Sequence, residues 1–197
     1  MHECLRAKCH ILGWCSVIVF KCLGSPYCGK TSIVQSFCSG GRDFPKNYLM
    51  SKTVEFAVKT MTIPEVDDSI ELFLYNIPGK EVFQDPMNHY INMTNLIVVV
   101  FDVTNQESFS SAKLTLRELR KPNNIRIPVV LVGNKTDLKE KQINNVEKAQ
   151  GLADDLSIPY FETSAKEAVG IDVPFLHLIK EYYELYNDAV NDYQTLV

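Results

Sequence analysis

Gly24-Ser25-Pro26-Tyr27-Cys28-Gly29-Lys30-Thr31 follows an apolar, β-branched run, Ser16 to Leu23, and leads into a helical pattern from about Lys30 to Phe37. Two glycines bracketing four residues, then a lysine and a hydroxyl residue, set between a strand and a helix, make a glycine-rich phosphate loop. Backbone N–H groups of the loop and of the helix amino terminus form a concave nest of donors for a β-phosphate. Lys30 is placed to reach β- and γ-phosphates and the Thr31 hydroxyl to ligate Mg²⁺. Gly29 lets backbone and phosphate come close. Ser25, Pro26, Tyr27, Cys28 and Ser32 complete the candidate binding segment, with Tyr27 a bulky residue to find beside phosphates.

Outward from this loop, β-rich apolar runs alternate with helical patterns, the signature of a parallel sheet covered on both faces. Val54 to Ile63 and Ser69 to Tyr75 alternate with a period of two, and Pro64 through Asp68 is short and polar enough to join them as a hairpin. Leu96 to Asp102 and Val129 to Val132 read as central strands buried on both faces, and Ile158 to Phe161 as a last short one. Helices are expected over Ser108 to Lys121 and Val146 to Leu156. A final helix should start near Asp172 and Pro174, an acidic cap candidate and a first-turn proline, with Phe175, Leu178, Ile179, Tyr182, Leu185, Tyr186 and Ala189 on one stripe. The expectation is an α/β fold: a mostly parallel six-stranded sheet with one antiparallel edge strand. Residues 16–190 form the domain, 1–15 an amino-terminal extension and 191–197 a short tail.

The composition of the 197 residues is that of a globular chain, 46% hydrophobic and 22% charged. A net charge of −4 supplies no field to hold a polyanion, which argues against nucleic acid as a partner. Cys4, Cys9, Cys15, Cys22, Cys28 and Cys38 crowd the front of the chain without metal-site pairing or the spread of a disulfide framework, and read as reduced thiols. Ile11 to Phe20 follows Arg6 and Lys8 as a secretory signal would, but removing it would take away the strand the phosphate loop requires. Lys8-Cys9-His10-Ile11-Leu12-Gly13 echoes Lys21-Cys22-Leu23-Gly24, so the first run is either an extra edge segment or an artefact of the gene model.

Asn134-Lys135-Thr136-Asp137 comes directly after the apolar run Val129 to Gly133. Guanine presents two neighbouring donors, and a fixed carboxylate at Asp137 can accept both, whereas adenine offers no such pair. Asn134 is expected to tie the base loop to the phosphate loop, with the Lys135 stem along the ring face. Thr163-Ser164-Ala165-Lys166 follows the last short strand, where the Ala165 N–H is a candidate donor to guanine O6. All three segments lie at carboxyl ends of strands, where open α/β sheets bind ligands.

These residues resemble the Ras superfamily of small GTPases, most of all its Rab branch. Phe101-Asp102-Val103-Thr104-Asn105-Gln106-Glu107-Ser108-Phe109 is similar to the Rab segment after the fourth strand, and Glu162-Thr163-Ser164-Ala165-Lys166 to the Rab base loop. Within that branch, Leu72-Phe73-Leu74-Tyr75-Asn76-Ile77-Pro78-Gly79-Lys80-Glu81, Gly133-Asn134-Lys135-Thr136-Asp137-Leu138 and Pro174-Phe175 before a Tyr-rich tail resemble the Rab-like GTPases of intraflagellar transport. The resemblance implies a P-loop NTPase fold of the small G-protein type binding GTP or GDP with Mg²⁺. It also implies a place in the cytoplasm and cilium, and as partners a small β-sandwich transport subunit within a larger adaptor complex.

The pattern is broken where family members turn nucleotide over. Their Asp-x-x-Gly-Gln reads here Asn76-Ile77-Pro78-Gly79-Lys80. Asn76 keeps a carbonyl acceptor toward a Mg²⁺-bound water but loses the charge, so metal affinity should fall. Lys80, at the water-orienting glutamine position, has donors and no acceptor. Gly79 can still offer its N–H to a γ-phosphate, while Pro78 stiffens the segment. Ser51 stands at the position of the usual first-switch threonine and is a candidate Mg²⁺ ligand.

No cysteine follows Cys38, so a prenylated carboxyl terminus, and with it membrane insertion through a lipid, is not expected. Tyr183, Tyr186 and Tyr193 suit either helix packing or a docking surface. The expected function is a GTP-binding regulatory subunit of the transport particle with weak or no hydrolysis. A pseudo-GTPase acting as a constant interaction surface and a Rab-type trafficking GTPase are the alternatives; Asp137 argues against a P-loop ATPase or nucleotide kinase.

Overall fold

The computed structural model describes residues 17–45, 53–63, 68–79, 94–120, 127–139 and 145–195. The extension over 1–15, Ser51, Lys80 and, of the connection expected over Pro64 to Asp68, residues 64–67 lie outside them, while Asp68 already belongs to a strand. Six strands form one sheet: β1 (Val17–Leu23), β2 (Glu55–Ile63), β3 (Asp68–Asn76), β4 (Leu96–Asp102), β5 (Val129–Asn134) and β6 (Tyr160–Glu162). Their order is β2-β3-β1-β4-β5-β6. All neighbours are parallel except β2 and β3, which pair antiparallel from Glu55↔Asn76 to Ile63↔Asp68. The described helices are α1 (Lys30–Ser39), α2 (Gln106–Leu119), α3 (Asn145–Leu156) and α4 (Asp172–Thr195).

Strand alternation sorts the core into two layers. Ile18, Phe20 and Cys22 of β1, with Leu96, Val98 and Val100 of β4, meet Ile33 and Phe37 of α1 and Phe175, Leu178 and Ile179 of α4. The Phe175 ring stacks on Phe37 at 3.9 Å. On the other face Ile97, Val99, Phe101 and Leu131 meet Phe109, Ala112 and Leu116 of α2 and Ala149, Leu152 and Ala153 of α3. β4 is buried along its whole length because both faces are covered, which is why it carries no polar alternation before Asp102.

Boundary differences from the sequence reading have local causes. β5 runs on through Gly133 and Asn134, because β4 continues to pair with it as Phe101↔Gly133 and Asp102↔Asn134. α2 starts at Gln106 rather than Ser108, since the Asn105 side chain caps it by accepting from Ser108 N at 3.0 Å. β6 starts at Tyr160 rather than Ile158, because Ile158 N donates to Ala153 O at the end of α3 and Ser157 turns left-handed at φ 51°. On α4, Phe175, Leu178, Ile179 and Tyr186 are buried, and Tyr182 and Tyr183 pack against the core. Leu185, expected on that stripe, is instead exposed.

The order reverses across β1 and β4. The chain leaves β1 through α1 toward β2 and leaves β4 through α2 toward β5, so a crevice opens beyond the carboxyl ends of these two neighbours. Gly24 closes the end of β1 against β4: a Cβ there would lie 2.2 Å from the Val100 carbonyl oxygen, at a φ of +149°.

Candidate functional site

The loop after β1 turns back on itself through Gly24, Tyr27 at φ 66° and Gly29 at φ 94°. Tyr27 is the exposed member, so the bulk that looked awkward beside phosphates points into solvent. Lys30, only 7% exposed, folds over the loop. Its ammonium donates to the carbonyls of Gly24 and Ser25, each at 2.9 Å, and a lysine's three donors are redirected at low cost when a phosphate oxygen arrives. Ser25 is tethered to α2 through Ser108 Oγ at 2.9 Å, and Ser108 Oγ in turn accepts from Asp102 N. Pro26 backs onto Gly79, where a Cβ would lie 2.3 Å from Pro26 N, so the residue after Pro78 touches the loop only because it is glycine. Ser32 lies half-buried in the first turn of α1.

The base-side residues converge on the same crevice. Asn134 Nδ2 donates to Cys28 O at 3.0 Å, and Asn134 Oδ1 accepts from Ala165 N at 3.2 Å and Thr163 Oγ1 at 3.3 Å. One buried side chain thus links the phosphate loop to the loop after β6. Gly29 leaves room for it: a Cβ there would lie 2.2 Å from Asn134 Nδ2. Asp137 is held by Ser164 Oγ at 2.8 Å and by Lys166 Nζ at 3.8 Å. Each carboxylate oxygen can accept more than one donor, so these contacts orient Asp137 and leave it able to receive a guanine edge. Lys135, at φ 70°, reaches Asp102 Oδ2 at 2.6 Å, and Asp102 also accepts from Thr104 N and Oγ1.

At the opposite end of the loop, Asn76 Nδ2 donates to Thr31 Oγ1 at 2.7 Å and to Glu55 Oε2 at 2.6 Å. Thr31 Oγ1 itself donates toward Glu55 Oε2 at 3.4 Å. Asn76 is 2% exposed, and its Oδ1 is buried without a hydrogen-bond partner. Among the described residues no group of three or more His, Cys, Asp or Glu gathers to hold a metal ion. The hard-oxygen groups here, Thr31 and Glu55, suit a Mg²⁺ held largely by phosphate and water, whereas Asn76 turns its Nδ2 donor toward them. When bound, that ion would neutralise charge on the phosphates.

The described thiols are held in the protonated form. Cys22, Cys28 and Cys38 are free, and burial pushes all three up, Cys22 to about 12. Lys30 opposes the shift at Cys28 without overcoming it. A thiol kept protonated this way is a small apolar packing group.

Residues 19–184 match the Ras family. The chain belongs to the Ras family of small GTPases. It is 39% identical over 180 residues to the intraflagellar transport protein 27 homolog of Mus musculus, covering 90% of this chain and 97% of that one. It is 34% identical over 185 residues to intraflagellar transport protein 27 of Chlamydomonas reinhardtii, covering 91% and 89%. A third relative, Ras-related protein RIC1 of Oryza sativa subsp. japonica, is 32% identical over 159 residues. Family membership implies guanine-nucleotide binding, usually with Mg²⁺.

Three residues that the sequence did not single out belong to this site. Asp102 was legible as the one ionisable residue ending a continuous buried strand. Thr163 carries no signal in the sequence beyond its place in the loop after β6, yet it braces Asn134. Glu55 carried no signal beyond opening an alternating strand, and only its register opposite Asn76 brings it to Thr31. No described helix is long and apolar enough to cross a membrane.

Proposed function

We propose that this chain is a GTP-binding Rab-like regulatory subunit of the intraflagellar transport particle, with weak or no intrinsic hydrolysis. The observation that carries the reading is the Asn134 side chain, which couples the lysine-bearing phosphate loop to the loop that orients Asp137. A donor nest at one end and an oriented carboxylate at the other are what a guanine nucleotide needs. The transport role rests on the relatives named intraflagellar transport protein 27. Asn76 and Lys80, in place of an aspartate and a glutamine, support slow turnover.

Titration with fluorescent GDP, GTP and ADP tests the reading. Guanine should be preferred at least about tenfold, or about 1.4 kcal/mol, and Asp137→Ala should erase most of the preference. Equal affinity for adenine nucleotides would sink it.

The partner proposal is a small β-sandwich transport subunit within a larger adaptor complex, met in the cytoplasm and cilium. Burial of Tyr186 favours helix packing for that residue, so exposed Leu185 is the better probe of the α4 surface. Pull-downs from ciliated cells should recover transport subunits with the full chain and fewer with Leu185→Asp; equal recovery removes α4 from the contact.

A further inference from the structure

An aspartate at position 76 would bring negative charge to the corner where Thr31 waits for Mg²⁺, and asparagine brings none. Glu55 and Asn76 are directly opposed in the antiparallel ladder, so their side chains leave the same face of the sheet at neighbouring points. The Glu55 carboxylate then lies against both Asn76 Nδ2, at 2.6 Å, and Thr31 Oγ1, at 3.4 Å. We propose that Glu55 supplies the negative charge of the Mg²⁺ site in place of the missing aspartate, acting across the β2–β3 ladder on the ion's water shell.

The hydrogen-bond inventory supports the exchange. A hydroxyl has one proton and two lone pairs, so Thr31 can give its proton to Glu55, accept from Asn76 and still present oxygen to a cation. The Asn76 amide orients by donating to the carboxylate, leaving Oδ1 as the buried atom without a partner. An aspartate at 76 beside Glu55 would set two carboxylates in hydrogen-bond range with no proton between them, a costly pair. The neutral residue at 76 and the acidic residue at 55 are therefore complementary. Glu55 is an exposed residue, which suits a contact through water rather than direct ligation.

This inference rests on guanine-nucleotide binding and concerns only where the metal's counter-charge sits. The test is the dissociation rate of a fluorescent GDP in EDTA divided by the rate at saturating Mg²⁺, with the half-saturating Mg²⁺ concentration read from the titration. Glu55→Gln should raise that concentration about tenfold, about 1.4 kcal/mol of Mg²⁺ binding, and shrink the rate ratio. Adding Asn76→Asp to Glu55→Gln should restore both, and Glu55→Asp should fall between. An unchanged half-saturation in Glu55→Gln overturns the proposal. So does a faster release of equal size with and without Mg²⁺, because a merely structural loss would act in both. A chain that binds no guanine nucleotide in either condition overturns the functional reading itself, and this inference with it.

Discussion

The Asn134 side-chain amide donates to the Cys28 carbonyl at 3.0 Å, joining positions 106 residues apart. That bond, together with the Ala165 N–H on the same side chain, makes one rigid floor of two loops that the chain visits at distant times. Removing it leaves the Cys28 carbonyl and the Ala165 N–H to find other partners in a buried place, while the Thr163 hydroxyl retains the Gly133 carbonyl at 3.5 Å. Asn134→Ala should cost about 3 kcal/mol in urea unfolding, the range for orphaning buried polar groups, and weaken GDP and GTP binding together. A loss of binding with no loss of stability would show that the coupling is not structural.

Gly24 and Gly40 separate backbone strain from steric collision. Both have positive φ, but a Cβ at Gly24 meets the Val100 carbonyl at 2.2 Å, whereas nothing lies within 4 Å of one at Gly40. Gly40→Ala should cost about 1 kcal/mol, the left-handed penalty alone. Gly24→Ala must push β1 from β4 and should cost roughly 3 kcal/mol or more. Chemical denaturation of the two variants side by side checks the ordering.

Buried thiols remove stability on the alkaline side, and buried Lys21 opposes them. Cys22 ionises in the native state only near 12, against 9.0 for an accessible thiol, because burial disfavours the thiolate. Above about pH 9 the unfolded chain sheds this proton while the native chain keeps it, so the Cys22 contribution to stability falls with rising pH. By about pH 10.5 the loss from Cys22 should approach 2 kcal/mol. Lys21 works the other way, since burial lowers it to about 8 and stability from it rises between there and 10.5. Urea midpoints under reducing conditions should therefore show Cys22→Ala costing stability at pH 7 and progressively less above pH 9.

On the proposed reading, Lys80 at the water-orienting position is expected to limit the chemical step. An ammonium cannot accept from the attacking water, so single-turnover hydrolysis should sit at or below about 10⁻⁴ s⁻¹. Lys80→Gln should raise it, and should do so more in the Glu55→Gln, Asn76→Asp background than beside an aspartate facing Glu55. Rapid turnover by the unmodified chain would assign the chemistry to another residue.

What the sequence by itself determined is what local rules govern. The loop from Gly24 to Thr31 was legible because strand, left-handed glycines and helix start are each written within a few residues, and β4 because covering both faces leaves seven consecutive buried positions. The antiparallel edge followed from alternation and a short polar connection. The sequence also placed Asn134 and Asp137 at the carboxyl end of β5, since an apolar run must end in the crevice. Register and long-range pairing were beyond it. Nothing in Glu55, one of several acidic residues in alternating strands, distinguishes it until β2 is laid against β3 so that it faces Asn76. The extension of β5 to Asn134, the burial of Tyr186 and the exposure of Leu185 were likewise decided in the tertiary structure. Each depends on which neighbour excludes water from that side chain, and that neighbour comes from a distant part of the chain.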